Sequence, residues 1–291
     1  MNSDSFFTIG SDHKICEDFA LAKDIVAEDG QKISIAIVCD GCSSSGKHVD
    51  VDFGARILAY SFLKVFSKQI FISLLENMQC EDEKIIFAFA TSALNDAKTI
   101  LRRLGITDDR FLDATIVFAF ANEKTKKVYS GMFGDGTIIT KYKSGGKYKI
   151  YNGHYVSNMP YYLGYLLKNG RKELYEKNVG ENINQFIHNE HIIINDQTVS
   201  KTEMLPFDHF FCRTDLVSDL QCISIVSDGI ESFLDSGNNK IDLLDVYKEF
   251  CDFKTHGGKF VTRRIANGLS DYCKKNNHHH YDDVSCAAIH F

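Results

Sequence analysis

Proline is nearly absent from this 291-residue chain, occurring only as Pro160 and Pro206. No Ser/Gly/Pro-rich stretch, internal repeat or low-complexity tract marks a linker either, so the expected organisation is a single domain over residues 1–291. Also missing is an apolar run of the roughly 18 residues that a membrane span requires. The opening Met1-Asn-Ser-Asp-Ser-Phe-Phe lacks the basic segment and long apolar stretch of a secretion signal. Nine cysteines, an odd number at irregular spacing, include one Cys-x-x-Cys, Cys39 to Cys42, with no second pair to complete a metal site. That excludes a zinc ribbon and argues against a disulfide framework, and free thiols fit a reducing cytoplasm. Basic residues are in deficit: 33 Lys and Arg face 39 Asp and Glu, for a net charge of −6. A general nucleic-acid binder would carry a basic face instead.

What the chain does have is material for a core. It is 44% apolar and contains 22 Phe and 13 Tyr, which excludes disorder. Ile33-Ser-Ile-Ala-Ile-Val38 is a β-branched run that stops at Cys39-Asp40-Gly41. Apolar residues then recur at helical spacing over Asp52–Asn77 and again over Glu83–Leu104, with Gly105 placed to cap the second helix. Thr115–Asn122, Lys127–Phe133 and Thr137–Tyr142 read as an antiparallel meander, since short Gly-, Asn- and Asp-containing turns join them. Residues 145–200 are the least patterned, with a helix expected around Asn182–His188 and a strand at His191–Ile194. Gln221–Val226 and Val284–Phe291 read as strands, and Leu243–Phe250 and Phe260–Lys275 as helices. Such block segregation of strands and helices predicts an α+β fold.

Acidic residues gather at the ends of these strands. Asp40 and Asp228 each follow an apolar strand and precede Gly, and Asp135 lies in Phe133-Gly134-Asp135-Gly136. Asp282 and Asp283 precede the last strand, and Glu17-Asp18 opens an early one. A carboxylate at the end of a buried strand is costly to desolvate, and several together raise one another's pKa. A divalent cation relieves both costs, and oxygen-only ligands favour Mg²⁺ or Mn²⁺ over zinc. Against this stands the ordinary use of any single Asp-Gly as a turn.

In family order, the same residues resemble the metal-dependent serine/threonine protein phosphatases of the 2C type, in particular their bacterial branch. The early motif is Gly10-Ser11-Asp12-His13-Lys14-Ile15-Cys16-Glu17-Asp18, and the second is Val38-Cys39-Asp40-Gly41 with Phe53-Gly54-Ala55 beyond it. Asp113-Ala114-Thr115 and Gly134-Asp135-Gly136-Thr137 form the central motif. Ser227-Asp228-Gly229-Ile230 and Asp282-Asp283-Val284-Ser285 complete the set. The resemblance implies a four-layer α-β-β-α sandwich, two antiparallel sheets flanked by helix pairs, with metals at one end. Carried over, Asp40 would bridge two Mg²⁺ or Mn²⁺ ions, with the Gly41 carbonyl on one of them. Asp228 and Asp282 would complete the pair, Glu17 and Asp18 would hold metal-bound waters or stand behind the ligands, and Asp135 would serve a third, weaker position. The implied activity is hydrolysis of phosphoserine or phosphothreonine in a protein substrate by water activated between two metals.

Four departures from the family pattern stand out, one of them Ser232, with Glu231 beside it, where an acid is expected four residues after Asp228. Cys42 stands where many members have the His that protonates the leaving alkoxide. The Arg that grips phosphate is replaced by His13 and Lys14, which keep charge but lose a bidentate fork. Gly-Asp-Ser-Arg has become Gly134-Asp135-Gly136-Thr137. These losses leave a non-catalytic, protein-binding relative as the alternative. A nucleoside triphosphatase is a weaker rival, because Gly41-Cys-Ser-Ser-Ser-Gly46-Lys47-His48 nearly spells a phosphate-binding loop but lacks its final hydroxyl. His278-His279-His280, His188-Asn-Glu-His191 and the basic Lys168–Lys172 stretch are read as structural or solvated. Cys39 and Cys286 are read as core thiols.

Overall fold

The computed structural model describes residues 1–42, 51–77, 82–168, 170–180, 182–195 and 197–291. The near-miss nucleotide loop, residues 43–48, falls outside them. The described residues form fourteen strands: β1 (Asn2–Thr8), β2 (Asp18–Val26), β3 (Lys32–Asp40), β4 (Ile116–Asn122), β5 (Lys127–Phe133), β6 (Gly136–Tyr142), β7 (Lys147–Tyr155), β8 (Phe186–Ile194), β9 (Gln197–Leu205), β10 (Phe211–Leu216), β11 (Leu220–Val226), β12 (Phe233–Leu234), β13 (His279–His280) and β14 (Val284–His290). The main helices are α1 (Val51–Phe66), α2 (Gln69–Asn77), α3 (Asp82–Arg103), α4 (Arg171–Val179), α5 (Leu243–Cys251) and α6 (Phe260–Asn267).

A seven-stranded antiparallel sheet runs β1-β14-β11-β6-β7-β8-β9 and a five-stranded one β10-β5-β4-β3-β2. Side-chain alternation along the strands creates three cores and therefore four layers. In β3, Ile33, Ile35, Ile37 and Cys39 turn outward against α1, α2 and α3, while Ala36 and Val38 turn toward the other sheet. β4 alternates likewise, with Phe118 and Phe120 outward and Val117, Ala119 and Ala121 inward. From the seven-stranded sheet, Ala287 and Ile289 fill the central layer, while Cys286 and Ala288 pack under Val246, Phe250, Val261 and Ile265 of α5 and α6. The expected sandwich is present.

The expected helix over 52–77 is two helices bent by 59°. At the bend the Ser67 hydroxyl donates to the Leu63 carbonyl at 2.6 Å, and Phe66 stacks on Phe71 with centroids 4.8 Å apart. Among the described residues no single helix is long and apolar enough to cross a membrane, and the apolar stripe of this bent pair is buried in the outer core. The expected helix at Asn182–His188 is absent. Phe186–Ile194 is one strand paired on both edges, by β7 and β9, so its β-branched residues are satisfied as sheet. The C-terminal helix breaks into a π-turn at Gly268–Cys273.

Candidate metal centre

The acids converge because the strands that carry them end together. Asp18 and Asp40 are direct partners across the β2–β3 ladder. β3 is prolonged past Asp40 by residues 113–115: the Thr115 amide donates to the Asp40 carbonyl at 2.8 Å, Gly41 bridges Ala114, and the Cys42 amide donates to the Asp113 carbonyl. Asp135 sits where the chain passes from the five-stranded sheet to the seven-stranded one. That crossing needs Gly134 at φ +87° and Gly136 at φ +135°, conformations that a side chain would strain. Asp228 follows β11 and opens a short 3₁₀ turn, Asp228–Glu231. Beside it Gly229 lies flush on Asp283, whose carbonyl would be only 1.7 Å from a Cβ.

Asp40, Asp135 and Asp228 each offer a carboxylate oxygen within 4.8 Å of the other two. Burial first, then mutual repulsion, pushes these carboxyls up: Asp40 and Asp135 well above the usual range, and Asp228 to about 6. Asp18 is buried and also raised, first by burial, although its Oδ2 accepts the Ser227 hydroxyl at 2.6 Å. Asp282 is raised too, mainly by burial. It lines the same cleft as Asp135, Asp228 and Glu231, a cavity of about 280 Å³. Charges that resist ionising side by side, offered by oxygen donors alone, match what a hard divalent cation requires.

The two acids before β14 differ. Asp283 is buried, and its carboxylate accepts the backbone amides of Gly10 (2.8 Å) and Glu17, tying the early loop to the last strand. Asp282 points toward the cleft, holds the Asp283 amide at 2.8 Å and lies 3.4 Å from His13. Glu17 is partly buried, and its carbonyl accepts the Gly41 amide at 3.2 Å. Of the expected phosphate grips, His13 is committed to these acids: its Nδ1 lies 3.1 Å from Asp283 and its Nε2 faces Asp282. Burial opposes its protonation, but the Asp283 hydrogen bond and the surrounding acids outweigh that and raise it. Lys14 is exposed and is not among the residues of the cleft.

Sequence reading missed a second layer. Arg171, read with its neighbours as a solvated face, makes two hydrogen bonds to Asp113, at 2.9 and 2.6 Å, and stacks 4.2 Å over Tyr165. Tyr162, buried at the mouth of a short 3₁₀ turn, hydrogen-bonds Cys42. Neither lies in a motif; the signal for Arg171 is Asp113 itself, an unpaired acid in an apolar setting. His280 was read as part of a solvated run, yet it pairs with Phe233 in a two-stranded sheet and its ring lies 5.2 Å from that phenyl. His188 is buried and stacks on Tyr151, while Cys39 and Cys286 are core thiols.

No protein-family model matches the chain, and neither does any curated protein sequence. Solved structures do match. The serine/threonine phosphatase Stp1 from Staphylococcus aureus aligns over 100% of this chain and 95% of its own, at 12% identity and a TM-score of 0.52. A fragment of SpoIIE from Bacillus subtilis, holding its PP2C phosphatase domain and part of its regulatory domain, aligns over 100% and 63%, at 12% identity and 0.51. With its two antiparallel sheets, its flanking helices and its acids at one end, this chain has the fold of the bacterial PP2C-type serine/threonine phosphatases.

Proposed function

We propose that residues 1–291 act as one metal-dependent phosphatase domain that releases phosphate from phosphoserine or phosphothreonine in a protein substrate. One observation carries the reading: three carboxylates lie within 4.8 Å of one another, on a phosphatase fold, with their pKa values driven up by burial and then by each other. Asp40, Asp135 and Asp228, with the Gly41 carbonyl and Asp282, would hold two Mg²⁺ or Mn²⁺ ions, and a third at most. When bound, such ions supply an activated water and neutralise charge on the phosphoryl oxygens.

The remaining work falls to this chain. Asp18 is fixed by Ser227 and Ser227 by the Ser285 amide at 3.0 Å, so the acid opposite Asp40 cannot swing away. Asp283 anchors the Gly10–Glu17 loop, which brings Glu17 beside Gly41. With its free thiols among the described cysteines, a reducing cytoplasm suits the protein.

The test is hydrolysis of a phosphothreonine peptide with Mn²⁺ and with EDTA. Turnover should require the metal, and Asp40→Asn or Asp228→Asn should each lower it by about 100-fold or more, since each removes a charge from the cluster. A rate indifferent to EDTA would end the metal reading. Metal binding without turnover would favour a non-catalytic, protein-binding relative.

A further inference from the structure

His13 is committed to Asp282 and Asp283, and neither it nor Lys14 lines the cleft at the carboxylate end. Among the described residues, one Lys or Arg lines the cleft over the carboxylates: Lys240. It is exposed, and no ion pair holds its ammonium among the described residues.

The position of Lys240 is built. Asp235 closes a tight turn, its Oδ1 accepting the amides of Gly237 at 2.8 Å and Asn239 at 2.9 Å, while Asn238 takes φ +60°. The turn returns the chain so that Lys240 bridges Leu234 and the Ile241 amide donates to the Phe233 carbonyl at 3.0 Å. On its other edge, Phe233–Leu234 pairs with His279–His280, which runs directly into Tyr281 and Asp282. Lys240 and Asp282 therefore leave the same small sheet and reach the same cleft.

A phosphate monoester brings about two negative charges into a cleft already lined by acids. Cations held by those acids offset part of that charge, and a lysine on the wall is a mobile point charge suited to the remaining oxygens. We propose that Lys240 grips the phosphoryl group of the substrate, in the role that the family resemblance implies for His13 and Lys14. This inference rests on the phosphatase reading above.

The experiment compares Lys240→Ala, Lys240→Arg and Lys14→Ala with the unsubstituted protein, all loaded with Mn²⁺. A small aryl phosphate and a phosphothreonine peptide serve as substrates, and calorimetry measures the affinity for inorganic phosphate. Lys240→Ala should raise KM for both substrates and Kd for phosphate by about tenfold, with kcat changed by no more than about twofold. Lys240→Arg should recover most of that loss, and Lys14→Ala should change neither constant. An unchanged KM and phosphate affinity in Lys240→Ala would overturn the assignment while leaving the phosphatase reading intact. An effect confined to the peptide would overturn it as well, because Lys240 would then be reading flanking residues. If the unsubstituted protein neither hydrolyses a phosphate ester nor binds phosphate, the phosphatase reading fails and this inference fails with it.

Discussion

Two neighbouring regions of the molecule are stabilised in opposite ways. The carboxylate end gathers Asp18, Asp40, Asp135 and Asp228 in or beside buried backbone, so repulsion works against it until positive charge arrives. Facing it, the segment from Met159 to Phe210 contributes Tyr161, Tyr165, Tyr175 and Phe207, whose rings pack with centroids 4.9–5.9 Å apart. Aromatic packing of this kind is worth about 1 kcal/mol per pair beyond the area buried. The first region concentrates charge and the second supplies packing beside it. The contacts that join them include Arg171 to Asp113 and Tyr162 to Cys42.

Cutting the stronger contact should have the largest effect. Asp113 is buried, and Arg171→Ala would leave its carboxylate without a partner, at a cost of about 3 kcal/mol in urea unfolding. Arg171→Lys should recover only part, because a single ammonium cannot reproduce both hydrogen bonds. A loss of activity should accompany it, since the Asp113 carbonyl holds the Cys42 amide beside Gly41. Should Arg171→Ala cost less than about 0.5 kcal/mol, a value typical of surface substitutions, the two regions are not coupled through this pair.

The opposite electrostatics also predict opposite responses to pH in the metal-free protein. Asp228, raised to about 6, keeps its proton in the fold while the unfolded chain has lost it near pH 4. The folded state thus binds more protons across that window, and its advantage fades as pH rises from about 4 to about 6, by about 2–3 kcal/mol for this group alone. On the facing side, burial lowers the pKa of His188 and His209, so the unfolded chain binds more protons below about 6.5 and stability from these residues falls as pH falls. Thermal melts in EDTA from pH 4 to 8 should therefore separate the two by sign: between about pH 4 and 6, Asp228→Asn should remove a loss of stability that comes with rising pH, and His188→Phe a loss that comes with falling pH. Added Mn²⁺ should raise the melting temperature chiefly above pH 6, where the carboxylates are ionised. A uniform gain across the range would contradict the cluster.

The difference between the regions also governs what could be read from the amino acids. Asp40, Asp135 and Asp228 were legible because each stands at the end of an apolar run, where local pattern and burial say the same thing. Asp283 was visible as an acid, but its task of holding Gly10 and Glu17 depends on residues some 270 positions away. In Phe186–Ile194, two histidines, Asn189 and Glu190 interrupt the apolar pattern, and pairing with β7 and β9 decides its conformation. Arg171 and Lys172 looked like a charged face because sequence does not reveal that Asp113 and Asp208 wait for them. The fold's layers were encoded in alternation along single strands, whereas the contacts between regions are tertiary.

The weaker contact carries the smallest effect and the finest test. The family resemblance would put Cys42 where many 2C-type phosphatases carry the His that protonates the leaving alkoxide, and here it hydrogen-bonds Tyr162. Thiols as a class are weaker acids than imidazolium, so alkyl phosphates, whose alkoxides need a proton on departure, should turn over slowly. Aryl phosphates leave with little help. Cys42→His should therefore raise the phosphoserine rate by about tenfold while changing the aryl rate little, and Cys42→Ser should leave both nearly unchanged. Tyr162→Phe, tested with and without Cys42→His, asks whether the facing region aims the group at position 42. If it does, the gain from His shrinks when the phenol is removed, even though the fold still melts at its usual temperature. Equal responses of the two substrates to Cys42→His would mean that position 42 supplies no proton. The acid would then have to be sought at His13, whose imidazole already sits between Asp282 and Asp283.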